Sequence, residues 1–372
     1  MAESFFEHFA ILPDPRVQRT RRHELSDIVA VALLGVICGA EGWTEIAEFG
    51  EAKEGWLKTF LNLPNGIPSH DTFGRVFAAL DPEEFERCFQ AWTADLADAS
   101  AGRIIAIDGK TLRRSFDRAN GKSAVHLVSA WVQGNHTVFG QVRTDEKSNE
   151  ITAIPRLLGM LNLNGATVTL DAMGCQKQIA RAIVDKGADY VLAVKGNQGS
   201  LREDVQVFMD DVSGENSVKA PVDVYETVEK DHGRVETRRV WSTSKVKWLA
   251  ERTEWPGVQS LAVAECERRI HGQRSVERRY YISSMTGRSA KRLAEAIRGH
   301  WSIENNLHWM LDVVFREDDC RVRVGNAAEN LSRLRRMALN LLKRETTSKR
   351  GIKCKRLRAG WDHGYLLKIL GI

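Results

Sequence analysis

The chain has 372 residues, 43% hydrophobic and 28% charged, the composition of an ordinary globular protein long enough for two or three domains with sizeable cores. Its net charge is only +5, but between Lys343 and Arg358 eight Lys/Arg face a single acid, Glu345, so the basic excess is concentrated where a polyanion would be met. Six scattered cysteines give no zinc or disulfide spacing and suit a reducing cytoplasm, and the longest apolar run, Ile28 to Ala40, is shorter than the ~20 residues of a membrane span.

Residues 1–100 read as an all-α unit. A buried helix starts near Ser26, far too late in the chain for a cleaved signal. Further helices are expected over Trp43 to Phe49 and Trp56 to Leu61, and, after the Pro64 to Pro68 turn, from a cap at Ser69 or Asp71 through Phe73, Val76, Phe77 and Leu80. A last one carries Phe85, Phe89 and Trp92 at i, i+4 and i+7. Such short helices make either an ordinary bundle or a helix-turn-helix reader, two readings of equal weight because the Ser69 helix carries only one exposed base, Arg75. The Arg16, Arg19, Arg21, Arg22 cluster is the better phosphate contact.

From 101 the pattern changes to strands. Ile104 to Ile107 is an apolar, β-rich run that ends in Asp108-Gly109-Lys110, as in a strand buried on both faces that stops at a polar edge. Thr167 to Leu170 repeats the arrangement and ends in Asp171, followed by Ala172-Met173-Gly174. One such acid alone is best read as a turn cap. Two on neighbouring strands repel unless they share a proton or a cation, and hard oxygen-seeking ions such as magnesium or manganese suit them.

Between the two acids, His126 to Gln133 and Thr137 to Arg143 flank Gly134-Asn135 as a hairpin, and Ser148 or Asn149 caps a helix through Ile154 and Leu161. A helix from Gln176 to Lys186 and a strand from Tyr190 to Val194 follow. This β-β-β-α-β-α-β order matches a ribonuclease-H-like core (residues 101–195), interrupted at 196–286 by a β-rich insertion with strands at Val222 to Val228, Arg234 to Ser242, Leu261 to Ile270 and Ser275 to Ile282. The charged run from Glu229 to Arg234 reads first as a solvated turn, although His232 and Arg234 could meet DNA there.

The core resumes at 287–343. Helical periodicity runs from Ala290 through Leu311 or beyond, with Glu304, His308 and Asp312 at i, i+4 and i+8 on one face. Glu304 is the third acid that the two aspartates lack, ahead of its rivals Glu317 and Asp318, and Trp301, Leu307, Trp309 and Leu311 suggest a helix wedged on the sheet. A helix over Glu329 to Lys343 is expected to pack through Leu331, Leu334, Ala338 and Leu341 while Arg333 and Arg336 face the duplex, ahead of a basic segment at 344–372.

Several ordered motifs then resemble the DDE transposases of the ISAs insertion-sequence family, which includes the H-repeat-associated proteins. They are Ala106-Ile107-Asp108-Gly109-Lys110, Lys147 to Ile151, Asp171-Ala172-Met173-Gly174-Cys175-Gln176, Val194-Lys195-Gly196-Asn197-Gln198, Asp231-His232-Gly233-Arg234 and His300-Trp301-Ser302-Ile303-Glu304-Asn305. The resemblance covers nearly the whole chain and implies that Asp108, Asp171 and Glu304 are the catalytic, metal-holding DDE residues. One departure stands out: where related insertion-sequence-four-like transposases carry Tyr, Arg and Lys around the Glu, this chain has Ile297, His300 and Leu311. Phosphate contacts then fall to Arg298, His300 or His308, with Lys110 and Lys195 near the scissile phosphate, where ordinary surface lysines are the plainer reading.

The resemblance further implies two Mg²⁺ or Mn²⁺ ions per site, double-stranded DNA with inverted-repeat ends as partner, a homodimer on paired ends, and a cytoplasmic protein that joins the nucleoid when DNA-bound. Metal-assisted in-line displacement at phosphorus would then cleave and join strands without a covalent intermediate. A structure-selective nuclease on the same fold and a catalytically silent DNA-binding relic are the competing readings.

Overall fold

In a computed structural model, residues 7–96, 102–118, 121–144, 150–214, 221–231, 233–271, 273–286 and 289–371 are described. The chain forms two compact units, each assembled from separate stretches: Met1–Asp98, Gly109–Lys147 and Glu304–Ile372 make a mainly helical unit, and Ala99–Asp108 and Ser148–Ile303 make a sheet unit.

The sheet unit is a mixed α/β layer. Strand β1 (Ile104–Thr111) leaves it after Asp108. The hairpin strands β2 (His126–Val132) and β3 (Thr137–Arg143) lie in the helical unit. After helix α5 (Glu150–Met160), β4 (Thr167–Leu170) pairs parallel to β1, and after α6 (Lys177–Asp185), β5 (Asp189–Val194) pairs parallel to β4. These strands form because apolar residues, many of them β-branched or aromatic, fill both faces: Ile105, Val168, Leu170, Tyr190 and Leu192 are all 2% exposed or less.

Residues 196–286, expected as an insertion, continue this sheet. Helix α7 (Gly199–Val212) comes first, then β6 (Asp223–Asp231), β7 (Arg234–Thr243), helix α8 (Lys247–Thr253), β8 (Ser260–Ile270) and β9 (Gln273–Ser283). β9 pairs antiparallel to β5, β8 to β9, β7 to β8 and β6 to β7, so the four strands are a meander grafted onto β5. The strands fall where their alternation places them; α7 and α8 were not expected.

Helix α9 (Ala290–Ile303) seals one face of this sheet. Its Leu293, Ala296 and Ile297 pack with Val191, Val240, Ala262, Tyr281 and Met285, all 8% exposed or less. The helix expected to be wedged on the sheet is this one, and helical winding continues past Leu311 as expected, through a π turn at Glu304–His308 into Trp309–Val313.

The helical unit is organised on α1 (Leu25–Cys38), whose Ile28, Val29, Val31, Val36 and Ile37 are wholly buried. Each such side chain contributes roughly 1.5–3 kcal/mol by leaving water. Around it lie α2 (Trp43–Leu57), α3 (His70–Ala79) and α4 (Pro82–Leu96). Ser69 caps α3 by accepting from the Thr72 amide, as the sequence suggests, while Phe73, Val76 and Phe77 face inward and Trp43 stacks on Phe77 at 4.9 Å. All the described secondary structure before residue 98 is helical, but those helices share their unit with the β2–β3 hairpin and the C-terminal helices. Those are α11 (Ala327–Arg344), α12 (Ile352–Trp361) and α13 (His363–Leu370); a short α10 (Trp309–Val313) precedes them. No single helix among the described residues is long and apolar enough to cross a membrane, and all six cysteines are free thiols.

Candidate active site

The two aspartates are brought together, although only Asp171 ends its strand: β1 runs on past Asp108 to Thr111. β1 and β4 run parallel in the register Ile104↔Thr167 to Ile107↔Leu170, so the next residue on each, Asp108 and Asp171, leaves the same edge on strands about 4.8 Å apart. Both are half-buried. Asp171 also caps its own turn: Oδ1 accepts from the amides of Met173 (3.0 Å) and Gly174 (3.3 Å). Gly174 permits that turn, since a Cβ there would lie 2.9 Å from Leu170 Cβ. The cap reading and the site reading therefore coexist, because a carboxylate has a second oxygen to offer.

His300, in the last turn of α9, lies beside this edge. Its Nδ1 is 3.1 Å from Thr169 Oγ1, on the residue two before Asp171. Burial holds its imidazole below the usual range, with Asp171 opposing and Lys195 and Arg279 reinforcing the shift. It is half-buried and held by the Thr169 hydroxyl. Lys195 is exposed just past the end of β5. Arg298 is exposed but paired with Glu229, and Arg234 lies 3.4 Å from Glu236. His232 lies outside the described residues.

Glu304 opens a turn of π-helix, Glu304–His308, that follows α9 directly, and it is exposed. The wider winding breaks the expected common face: His308 is buried and Asp312 partly so, while Glu304 faces solvent. Asp312 instead takes Lys110, at 2.6 Å, and Asp318 meets the same ammonium at 3.1 Å. Burial pushes the Asp312 carboxyl up, with Lys110 opposing. Lys110 is only 8% exposed and already neutralised, which corrects its expected role as an open phosphate contact.

The rivals of Glu304 are occupied as well. Asp318 holds Lys110 and Arg113, and Glu317 is buried against Arg336 (3.2 Å) and the Ser332 hydroxyl (2.7 Å). Burial works to raise the Glu317 carboxyl, yet Arg336 and Arg335 hold it below the ordinary carboxylate range.

Arg333 and Arg336 do not face a duplex. α11 is buried on every side from Ala327 to Leu342. Arg333, 1% exposed, donates to Glu86 at 2.5 Å and Glu329 at 3.4 Å, and Arg336 is fully buried on Glu317. Charges buried this deeply persist only when paired. The basic C-terminal stretch is likewise partly structural. Lys355 and Arg356 are buried and donate to the carbonyls of Leu342, Glu345, Val36 and Val314, leaving Arg344, Lys349, Arg350, Lys353 and Arg358 at the surface. Thr169 was missed in sequence; its only signal is a hydroxyl two residues before a strand-end acid.

Asp108, Asp171 and the exposed Glu304 are hard oxygen donors, right in kind for Mg²⁺ or Mn²⁺, and the first two stand side by side. Among the described residues no three His, Cys, Asp or Glu side chains are gathered into a cage for a metal ion. Neighbouring carboxylates, where the pairing of β1 with β4 stops on a mixed α/β sheet, define a candidate polar, cation-seeking edge, and comparison with known proteins gives it a family. A model described as DDE_Tnp_1-associated matches residues 6–93, and one described as transposase DDE domain matches residues 99–341. The "H repeat-associated putative transposase YhhI" of Escherichia coli K12 is 43% identical over 99% of this chain and 98% of its own length. The "Putative transposase YncI" of Escherichia coli O157:H7 is 44% identical over 99% and 94%. A short relative, "Inactive transposase YbfQ" of strain K12, is 45% identical over 20% of this chain and 88% of its own length.

The chain belongs to the family of transposases with a DDE domain. That family generally depends on divalent metal ions.

Proposed function

We propose that the protein cleaves DNA at the ends of an insertion sequence and joins the freed 3′ ends to target DNA, with Asp108, Asp171 and Glu304 as the catalytic acids of a ribonuclease-H-like core. The observation that carries this reading is the parallel register of β1 and β4, which sets Asp108 and Asp171 next to each other in a chain of this family. The three carboxylates would hold two Mg²⁺ or Mn²⁺ ions, which when bound supply nucleophile activation and stabilisation of the leaving 3′ oxygen.

The protein's own groups do the rest. The half-buried strand edge limits water around the aspartates, and the Asp171 turn fixes one carboxylate in orientation. Exposed Lys195 stands near this edge as a cation for the DNA backbone, with Arg298 and Arg234 further along the same unit once their glutamates yield to phosphate. DNA partners, a dimer on paired ends and action in the bacterial cytoplasm belong to the same proposal.

Asp108→Asn removes a metal-holding charge at nearly constant volume. It is expected to abolish Mn²⁺-dependent cleavage of duplex DNA taken from the flanks of the coding sequence, while binding of that DNA stays within about twofold. Unchanged cleavage, or loss of binding in a folded protein, refutes the assignment. A catalytically silent relic is the alternative that the short inactive relative favours, and a wild-type protein that binds these ends without cutting them would establish it.

A further inference from the structure

Beside the two aspartates, the sheet unit gathers positive charge on one face. β4 pairs with β5 in the register Thr169↔Val191 and Leu170↔Leu192, and β5 pairs with β9 as Ala193↔Tyr281 and Val194↔Tyr280. Carried on by one residue, these registers set Asp171 opposite Ala193 and Lys195 opposite Arg279. Lys195 keeps an extended backbone (φ −131°, ψ −168°), so the strand direction holds through it. Ala193 and Tyr281 pack against α9, and strand side chains alternate, so Lys195 and Arg279 leave the sheet on that same face. Thr169 meets His300 of α9 there, which puts Asp171, two residues on, on this face as well. The two cations therefore form the next row of the sheet beyond the aspartates, roughly 7 Å along the strands.

The Arg279 guanidinium is already fixed. Its carbon lies 4.3 Å from the centroid of the Trp301 ring, its Nε donates to Glu277 at 2.7 Å, and its side chain is 31% exposed. With five N–H donors it keeps some for a ligand. Like charges directly opposite each other weaken a sheet, and only a half-exposed acid offsets these two. Arg279 holds the Glu277 carboxyl below the ordinary range, with Arg268 and Lys195 adding, so one carboxylate is set against several cations.

We propose that Lys195 and Arg279 clamp one backbone phosphate of the DNA strand that crosses Asp108 and Asp171, the phosphate neighbouring the one that reacts. The inference rests on the reading of this edge as the DNA-cleaving site. One row of the sheet matches about one nucleotide step along an extended strand. An arginine fork takes phosphate through two parallel N–H bonds, and Lys195 adds a point charge from the neighbouring strand. Trp301 holds the guanidinium flat, so little freedom is lost when phosphate arrives. The bound anion also relieves the repulsion between the two cations. Every residue of the clamp belongs to the sheet unit.

The test uses the full-length protein and the flanking-end duplex, with end affinity measured at several salt concentrations. Arg279→Gln is expected to weaken binding about tenfold or more and to lower the slope of log affinity against log salt by about 1. Arg279→Lys keeps that slope and recovers only part of the affinity, because it lacks the fork. Glu277→Gln removes the acid that competes for the same guanidinium and is expected to tighten binding. Duplexes carrying a neutral methylphosphonate at one phosphate at a time then locate the contact. At a single position, next to the cleaved bond, the substitution weakens wild-type binding but adds nothing to the loss in Arg279→Gln or Lys195→Gln.

Wild-type affinity and salt slope in Arg279→Gln overturn the proposal, as do losses that add at every phosphate or a shared position away from the cut. If Arg279→Gln fails to fold, Lys195→Gln decides by the same comparison. Failure of the underlying reading is separately visible, as undiminished cleavage by Asp108→Asn.

Discussion

Helix α11 and the meander β6–β9 are both rich in arginine and glutamate, yet they use them to opposite ends. In α11 the guanidinium groups of Arg333 and Arg336 are buried and tied to Glu86, Glu329 and Glu317, so each charge is held by partners that water cannot replace. In the meander the pairs run across strands at the surface. Arg239 meets Glu226 with side chains 38% and 45% exposed, and Arg269 and Arg274 flank Glu267 with the arginines about two-thirds exposed. Water competes for the arginines of that ladder. The first region is a charged core; the second is a surface whose arginines can be redirected to an incoming polyanion.

The sharpest way to break the comparison is to remove one half of a buried pair. Glu317→Gln strands Arg336 without its counter-charge and is expected to cost about 3–5 kcal/mol, seen as a large drop in the thermal unfolding midpoint by circular dichroism. A double change to apolar residues, Glu317→Leu with Arg336→Met, is expected to recover much of the loss. Should the single variant melt like the wild type, the buried pair is no stabilising unit.

A smaller effect tests the edge of the same unit. Burial would raise the Glu345 carboxyl, but the Thr347 and Tyr365 hydroxyls and the amides of Thr347 and Ser348 bring it down to about 2. The folded value lies below the ordinary 4.5, so its contribution is complete above about pH 4.5 and is lost as pH falls toward about 2. Glu345→Gln should flatten the stability profile across that window and cost about 1–3 kcal/mol at pH 7, measured by urea titration at several pH values. In the meander, Arg239→Ala should change stability by only about 0.2–1 kcal/mol, and less as salt rises. A larger, salt-independent loss would erase the distinction between the two regions.

These contrasts also mark what the sequence could show. The strands that carry Asp108 and Asp171 were legible because a strand buried on both faces is apolar throughout; the single acid marked the end of β4 but not of β1, which runs on to Thr111. The meander was legible because half-buried strands alternate. Arg333 and Arg336 were misread because a helical wheel places polar residues opposite the apolar stripe, while the acids that allow them inside include Glu86, 247 residues away along the chain. The π turn was invisible, since nothing in Glu304 to His308 violates ordinary helical spacing. Lys110 drew attention by standing near Asp108, but its partners Asp312 and Asp318 come from chain some two hundred residues distant.

The interleaving of the two units bears on how this protein can be handled. The chain passes between them after Asp98, Asp108, Lys147 and Ile303, so neither is a contiguous stretch. Terminal truncation at any of these junctions strips one unit of a stretch it is built from. A minimal fragment therefore cannot be obtained by trimming, and genetic dissection must proceed by point substitution or by co-expressing complementary pieces.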